Sequence, residues 1–116
     1  VDRTFVTYTN EAKTEMVGVP SGLFDKVGAV SEEVARAMAE GALDNSNAEV
    51  SGSVTGIAGP GGGSDDKPVG LVHMAAARKG YETEHLRYVF EGDRDSVRLQ
   101  AVGTVIDLMR RQAELP

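Results

Sequence analysis

Hydrophobic and polar positions along the chain change period several times, and each change marks an element. Thr4–Thr9, TFVTYT, is β-branched and aromatic and predicts a strand. Asn10 follows as a favoured helix N-cap, and EAKTEMVG behind it predicts a short helix closed by Gly18. Pro20 suits the opening of the next short piece, and SGLFDKVGAV reads as a connecting turn of helix and loop. Ser31 then caps a stronger helix running from Glu32 to the neighbourhood of Leu43. Within it Val34, Met38 and Ala42 recur at four-residue spacing with Ala35 and Ala39 beside them, which predicts one apolar face against a sheet.

After the break at DNSN, AEVSGSVTG has the small and β-branched character of a strand. PVGLVHMAAA is apolar on both alternating faces, the pattern of a central strand covered on two sides. Arg78, Lys79 and Gly80 turn the chain into YETEHLRYVF, whose more polar pattern predicts an antiparallel strand nearer the sheet edge. Asp93 is the N-cap of the last and longest helix, which carries Val97, Ala101, Val105 and Leu108 on one face. Strand, two helices, three strands and a helix, with one strand apolar on both faces, predict the α/β class: a three-layer α/β/α arrangement with a mixed sheet. No internal repeat or long linker divides residues 1–116, so a single domain is expected.

Composition narrows the function classes. The balance of 41% hydrophobic and 26% charged residues is that of a folded globular chain. A formal net charge of −6 argues against broad affinity for nucleic acid or an anionic membrane, while leaving room for a local basic pocket. Without cysteine there is no disulfide, thiolate metal site or cysteine nucleophile. No apolar run approaches the length needed to span a bilayer, and VDRTFVTYTN lacks a signal-peptide core, so a cytoplasmic protein is expected. The first residue is Val rather than Met, and the expectation is that the chain is a fragment.

Four places carry candidate chemistry. TGIAGPGGGSDDKPVG, residues 55 to 70, holds six glycines and two prolines. It is not a phosphate-binding loop, because Lys67 stands between Asp66 and Pro68 and a strand, not a helix, follows; the dinucleotide fingerprint fails for the same reason. Two readings stand: a mobile surface connection, or the wall of a site beyond the end of a strand, where Thr55 and Gly56 permit close approach.

Lys13, third in a helix capped by Asn10, faces the positive helix end, which favours the neutral amine; a neutral lysine is a general base, while an exposed lysine with its stem over the first turn is the alternative. Tyr8 is either core packing or part of a hydrogen-bond network. Arg94 and Arg98, four apart at the start of the last helix, suit either a bound carboxylate or phosphate, or pairing with Glu91 or Asp95. His73 and His85 lie on separate strands without an evident third ligand, so structural roles are expected and no metal site.

FVTYTNEAK, GAVSEEVA, TGIAGPGGGSDDKPVG and FEGDRDSVR, in this order and spread over essentially the whole chain, resemble the C-terminal domain of the competence/damage-inducible protein CinA family, which includes stand-alone nicotinamide-mononucleotide deamidases. The resemblance implies a three-layer α/β/α domain that hydrolyses the amide of nicotinamide mononucleotide (NMN) to nicotinate mononucleotide and ammonia by a Ser-Lys mechanism, without a cofactor. It implies Lys13 as the base, Tyr8 in the supporting hydrogen-bond network, Thr55 and Gly56 lining the reaction centre, and Arg94 holding the substrate. Asn10 and Arg98 are added as substrate-binding candidates from capping and anion geometry. The family's nucleophile sits in an E-S-C-T-G-G type segment that none of Ser21, Ser31, Ser46, Ser51, Ser53, Ser64 or Ser96 matches. The resemblance therefore implies a domain lacking the family's first strand and helix, with an unpaired sheet edge that invites a homo-oligomer. A non-catalytic nucleotide-binding or regulatory module is the alternative.

Overall fold

The computed structural model describes residues 10–57, 59, 61–65 and 67–116, with Asn10 and Ala12 described in their backbone only. Tyr8 and the predicted strand at Thr4–Thr9 lie outside the described residues. The described elements are α1 (Asn10–Val17), α2 (Ser21–Val27), α3 (Glu32–Asp44), β1 (Val50–Gly56), β2 (Leu71–Arg78), β3 (Glu84–Val89) and α4 (Arg94–Ala113).

Helix ends follow local chemistry. Ser31 Oγ accepts the N–H of Val34 at 3.3 Å and Glu32 and Glu33 occupy the first turn of α3; Asp93 Oδ1 accepts the N–H of Ser96 at 2.8 Å to start α4. α1 closes at Gly18, where φ is +74° and the Val19 N–H reaches back to the Lys13 carbonyl at 3.2 Å, satisfying an end carbonyl in a conformation that glycine adopts freely. One expectation is corrected. Asn10 is the first residue inside α1 and not the cap before it, so Lys13 stands fourth. Side-chain type alone does not separate adjacent Thr9 and Asn10, since both residue types are favoured at an N-cap.

The three described strands form one sheet in the order β1-β2-β3, both pairs antiparallel. A parallel pair, which a mixed sheet requires, involves none of these strands with each other. β2 is central and buried from Leu71 to Ala77, as its two-faced apolar pattern predicts. Its alternation divides the core into two layers. Ala75 and Ala77 pack with Ala35, Ala39 and Leu43 of α3, while Val72 and Met74 pack with Val97 and Ala101 of α4, flanked by Leu86, Phe90 and Val105. Helices thus cover both faces of the sheet, giving α/β/α layering.

β1 is built for close packing rather than bulk. Ser51 and Ser53 turn toward α3 and donate to the carbonyls of Ala39 and Ala35, each at 2.5 Å. On the opposite face a Cβ at Gly52 would lie 2.6 Å from Met109 Sδ, so a side chain there would require the Met109 side chain of α4 to move. These small residues bring both helical layers onto the strand that leads into the glycine-rich segment.

Candidate functional site

β1 ends at Gly56, and its ladder with β2 continues briefly: Ile57 N–H donates to the Leu71 carbonyl at 2.9 Å and Gly70 N–H to the Ile57 carbonyl at 2.7 Å. A Cβ at Gly56 would lie 2.9 Å from the Leu71 carbonyl oxygen, so the strand passes its neighbour at a distance only glycine allows. Between these ends the loop carries its own turn, in which Ser64 N–H donates to the Lys67 carbonyl at 2.8 Å and Ser64 Oγ accepts the Lys67 N–H at 3.1 Å.

Two cations anchor the loop to the surrounding layers. Lys67 Nζ donates to the Val27 carbonyl at 2.8 Å, where the exposed carbonyls at the end of α2 attract positive charge. Gly28 leaves the room: a Cβ there would lie 2.7 Å from Lys67 Nζ. From the other side Arg94 Nη1 donates to the Gly59 carbonyl at 3.1 Å. Of the two readings of the loop, the free connection is the one this bonding disfavours.

The link between α2 and α3 is gripped as firmly. Besides Lys67 on Val27, Ser31 Oγ donates to the Gly28 carbonyl at 2.9 Å and Thr55 Oγ1 to the Ala29 carbonyl at 2.8 Å. Thr55, Gly56, the loop and Arg94 therefore converge at one end of the sheet, and Thr55 ties that end to the link. Arg98 is exposed one turn further along α4.

Lys13 comes from a different element, α1, which packs on α2 and α3. It is 8% exposed, and this burial holds its amine below the ordinary lysine value by disfavouring the charged form. Of its two sequence readings, the exposed surface lysine is excluded. The effect proceeds through desolvation.

Sequence reasoning missed two features. Lys67 is set aside there for failing a phosphate motif, yet it anchors the loop. His73 and His85 are treated separately, but His73 Nδ1 lies 2.9 Å from His85 Nε2 and the rings stack with centroids 5.1 Å apart. The register explains it: Ala75 pairs with His85, which makes His73 its diagonal neighbour on the α3 face. Burial, then the mutual charge of His85, holds His73 below the usual histidine range; burial holds His85 down against the opposing charge of Glu32. His85 Nδ1 is 3.7 Å from Glu32 Oε1, and Arg36 Nε donates to Glu32 Oε2 at 2.8 Å. His73 lies directly across the ladder from Thr55, so this polar chain begins beneath the candidate site. A hairpin register counted through the short β2–β3 turn is the signal that would have revealed the pair.

The family model of the CinA C-terminal domain matches residues 1–113. A CinA-like protein of Geobacter sulfurreducens is 50% identical over 108 residues, covering 92% of this chain but 26% of its own length, so the chain spans a minor part of such relatives. A solved structure of the competence/damage inducible protein CihA from Agrobacterium tumefaciens superposes with a TM-score of 0.95 at 44% identity, over 97% of this chain and 69% of that one. A CinA superfamily protein from Escherichia coli gives 0.85 at 36% identity, over 92% and 62%. No described helix is long and apolar enough to cross a membrane. With the fold, the glycine-rich loop and nearly the whole length of the chain in agreement, this chain belongs to the CinA C-terminal domain family.

Proposed function

We propose that this chain supplies the general base and part of the pocket wall of a cytoplasmic amidohydrolase that converts NMN to nicotinate mononucleotide and ammonia in pyridine nucleotide salvage. The observation that carries the reading is Lys13, buried on α1 with its amine biased toward the neutral form. A neutral amine takes a proton from a hydroxyl, where an ordinary charged lysine only donates one.

In this scheme the hydroxyl belongs to a serine in an upstream segment of the parent polypeptide, since no serine of this chain stands in the matching motif. Lys13 accepts the serine proton as the oxygen attacks the amide carbon, and the resulting ammonium returns it to the departing nitrogen, releasing ammonia. Water then gives a proton to the same amine as its oxygen attacks the acyl ester, and the ammonium returns that proton to the departing serine oxygen, freeing the nicotinate carboxyl group, which ionises. Arg94 and Arg98 offer planar donors to the substrate phosphate, and Gly56 lets the reacting group approach the end of β1. Thr55 lines that end.

Ammonia release from NMN by a polypeptide joining the serine-bearing segment to this chain tests the reading. Lys13→Ala is expected to lower turnover at least a hundredfold, in line with loss of a general base; undiminished turnover rejects the assignment. The second reading is a nucleotide-binding or regulatory module. It predicts saturable NMN binding by the isolated chain, and a joined polypeptide that binds NMN without hydrolysing it.

A further inference from the structure

Two imidazoles that share a hydrogen bond can take up one further proton and keep the bond, but not two. His73 Nδ1 and His85 Nε2 lie 2.9 Å apart, so one of these nitrogens carries a proton and the other a lone pair. Glu32 decides which. Its carboxylate, held by Arg36 Nε at 2.8 Å, faces His85 Nδ1 at 3.7 Å and, being an acceptor only, favours a proton on that nitrogen. In the neutral pair His85 Nε2 is then the acceptor and His73 Nδ1 the donor, which leaves the lone pair of His73 Nε2 as the place for an incoming proton. A second proton would set two N–H groups against each other across the same 2.9 Å.

The charges around the pair are unevenly placed. Glu32, Glu33 and Arg36 of α3 face His85, whereas Arg87 of β3 and Lys67 of the glycine-rich loop face His73, on which Glu32 also acts. Positive charge arriving on His73 therefore meets two cations. Arg87 is exposed, and water and salt screen its repulsion. Lys67 is half-buried, with its ammonium committed to the Val27 carbonyl at 2.8 Å. The backbone of Lys67 is in turn bonded to Ser64 through both its carbonyl and its N–H, so the side chain ties this turn of the loop to the end of α2. Arg94, which holds Gly59 from the other layer, is not among the charges that face the pair.

We propose that the His73–His85 pair is a one-proton switch acting on the Lys67 clamp of the glycine-rich loop. While the pair is neutral, Lys67 holds the loop to the end of α2. Once the pair takes a proton from solvent, the charge on His73 repels the ammonium and weakens its bond to Val27, leaving the Arg94 side of the loop in place. Burial sets the switch point below the ordinary histidine value of 6.5. The coupling is reciprocal: the clamp weakens proton binding by the factor by which the proton weakens the clamp. The switch is independent of the chemistry proposed for Lys13.

Amide hydrogen exchange of the whole chain at neutral and mildly acidic pH tests it, read as protection factors so that the intrinsic pH dependence of exchange cancels. Protection of the Lys67 and Ser64 amides, and of the Gly28 amide that closes α2 on the Phe24 carbonyl, is expected to fall about threefold or more as His73 takes up its proton. In His73→Asn that fall is expected to disappear. NMR titration of the imidazoles reads the reciprocal effect: in Lys67→Met, His73 is expected to hold its proton about twofold more tightly or more, with its midpoint raised. Lys67 belongs to a surface loop, so this second variant keeps the test decisive if His73→Asn fails to fold. Three outcomes overturn the inference: clamp amides equally protected at both pH values, a fall in protection that persists in His73→Asn, or a His73 midpoint unmoved by Lys67→Met.

Discussion

Arg94, on the first turn of α4, donates to the carbonyl of Gly59 at 3.1 Å and so ties the glycine-rich loop to the helix that follows the sheet. With Lys67 held on the Val27 carbonyl, the loop is fixed from both helical layers. Glycine supplies the conformations and close approaches here, and cations supply the restraint. A segment rich in glycine is not thereby mobile; its hydrogen bonds decide.

Removal of that restraint is the first prediction. Arg94→Ala is expected to increase amide hydrogen exchange across the loop, residues 57–70, while leaving β2 protected. Lys67→Met is expected to loosen the loop and the α2 end together, at a cost of about 1 kcal/mol for a partly exposed charged hydrogen bond. Unchanged exchange in both variants would show that the loop is held by its own turn alone.

The histidine pair predicts the pH dependence of stability. Both imidazoles are held below the ordinary value of 6.5, so the unfolded chain binds protons more readily than the folded one. Stability is therefore full above about pH 6.5, the unfolded value, and falls as pH drops toward the folded values. The groups facing the pair are Lys67 and Arg87 near His73, and Glu32, Glu33 and Arg36 near His85. Urea midpoints measured from pH 8 to pH 5 are expected to decline, with a shallower decline in His73→Asn. An identical pH profile in that variant would remove the pair from the explanation.

Gly41 lies within α3, where alanine ordinarily stabilises a helix by about 1 kcal/mol. Here a Cβ would overlap the carbonyl of Val17 at the end of α1, a backbone group that cannot turn aside. Gly41→Ala is expected to lower stability by about 1–3 kcal/mol, as overpacking does, and the urea midpoint measures it. A rise in stability would mean that α1 shifts freely on α3.

Much of the architecture was legible in the residues. Ser31 and Asp93 declared the starts of α3 and α4 because a side-chain oxygen in the right place satisfies a local backbone donor. The two-faced apolar run of β2 declared a central strand because both its faces are covered. What joined distant elements was not legible. The bonds of Lys67 to Val27 and of Thr55 to Ala29 span 40 and 26 residues, and no local pattern encodes either. Lys13 was selected by its motif, but its burial arises from how α1 packs, a tertiary property. The exposed stripe of α4, Leu99, Val102 and Ile106, shares the helical period of its buried face, so periodicity alone marks both as apolar without saying which meets the sheet.

The account rests on burial biasing the Lys13 amine toward its neutral form, and its most direct test is the titration of that single amine. With lysines isotopically labelled at Cε and Lys13 assigned through Lys13→Arg, its NMR shift is followed from pH 6 to pH 11. The account predicts a midpoint clearly below the ordinary value of 10.5. A Lys13 midpoint at or above that value would contradict the assignment of the base.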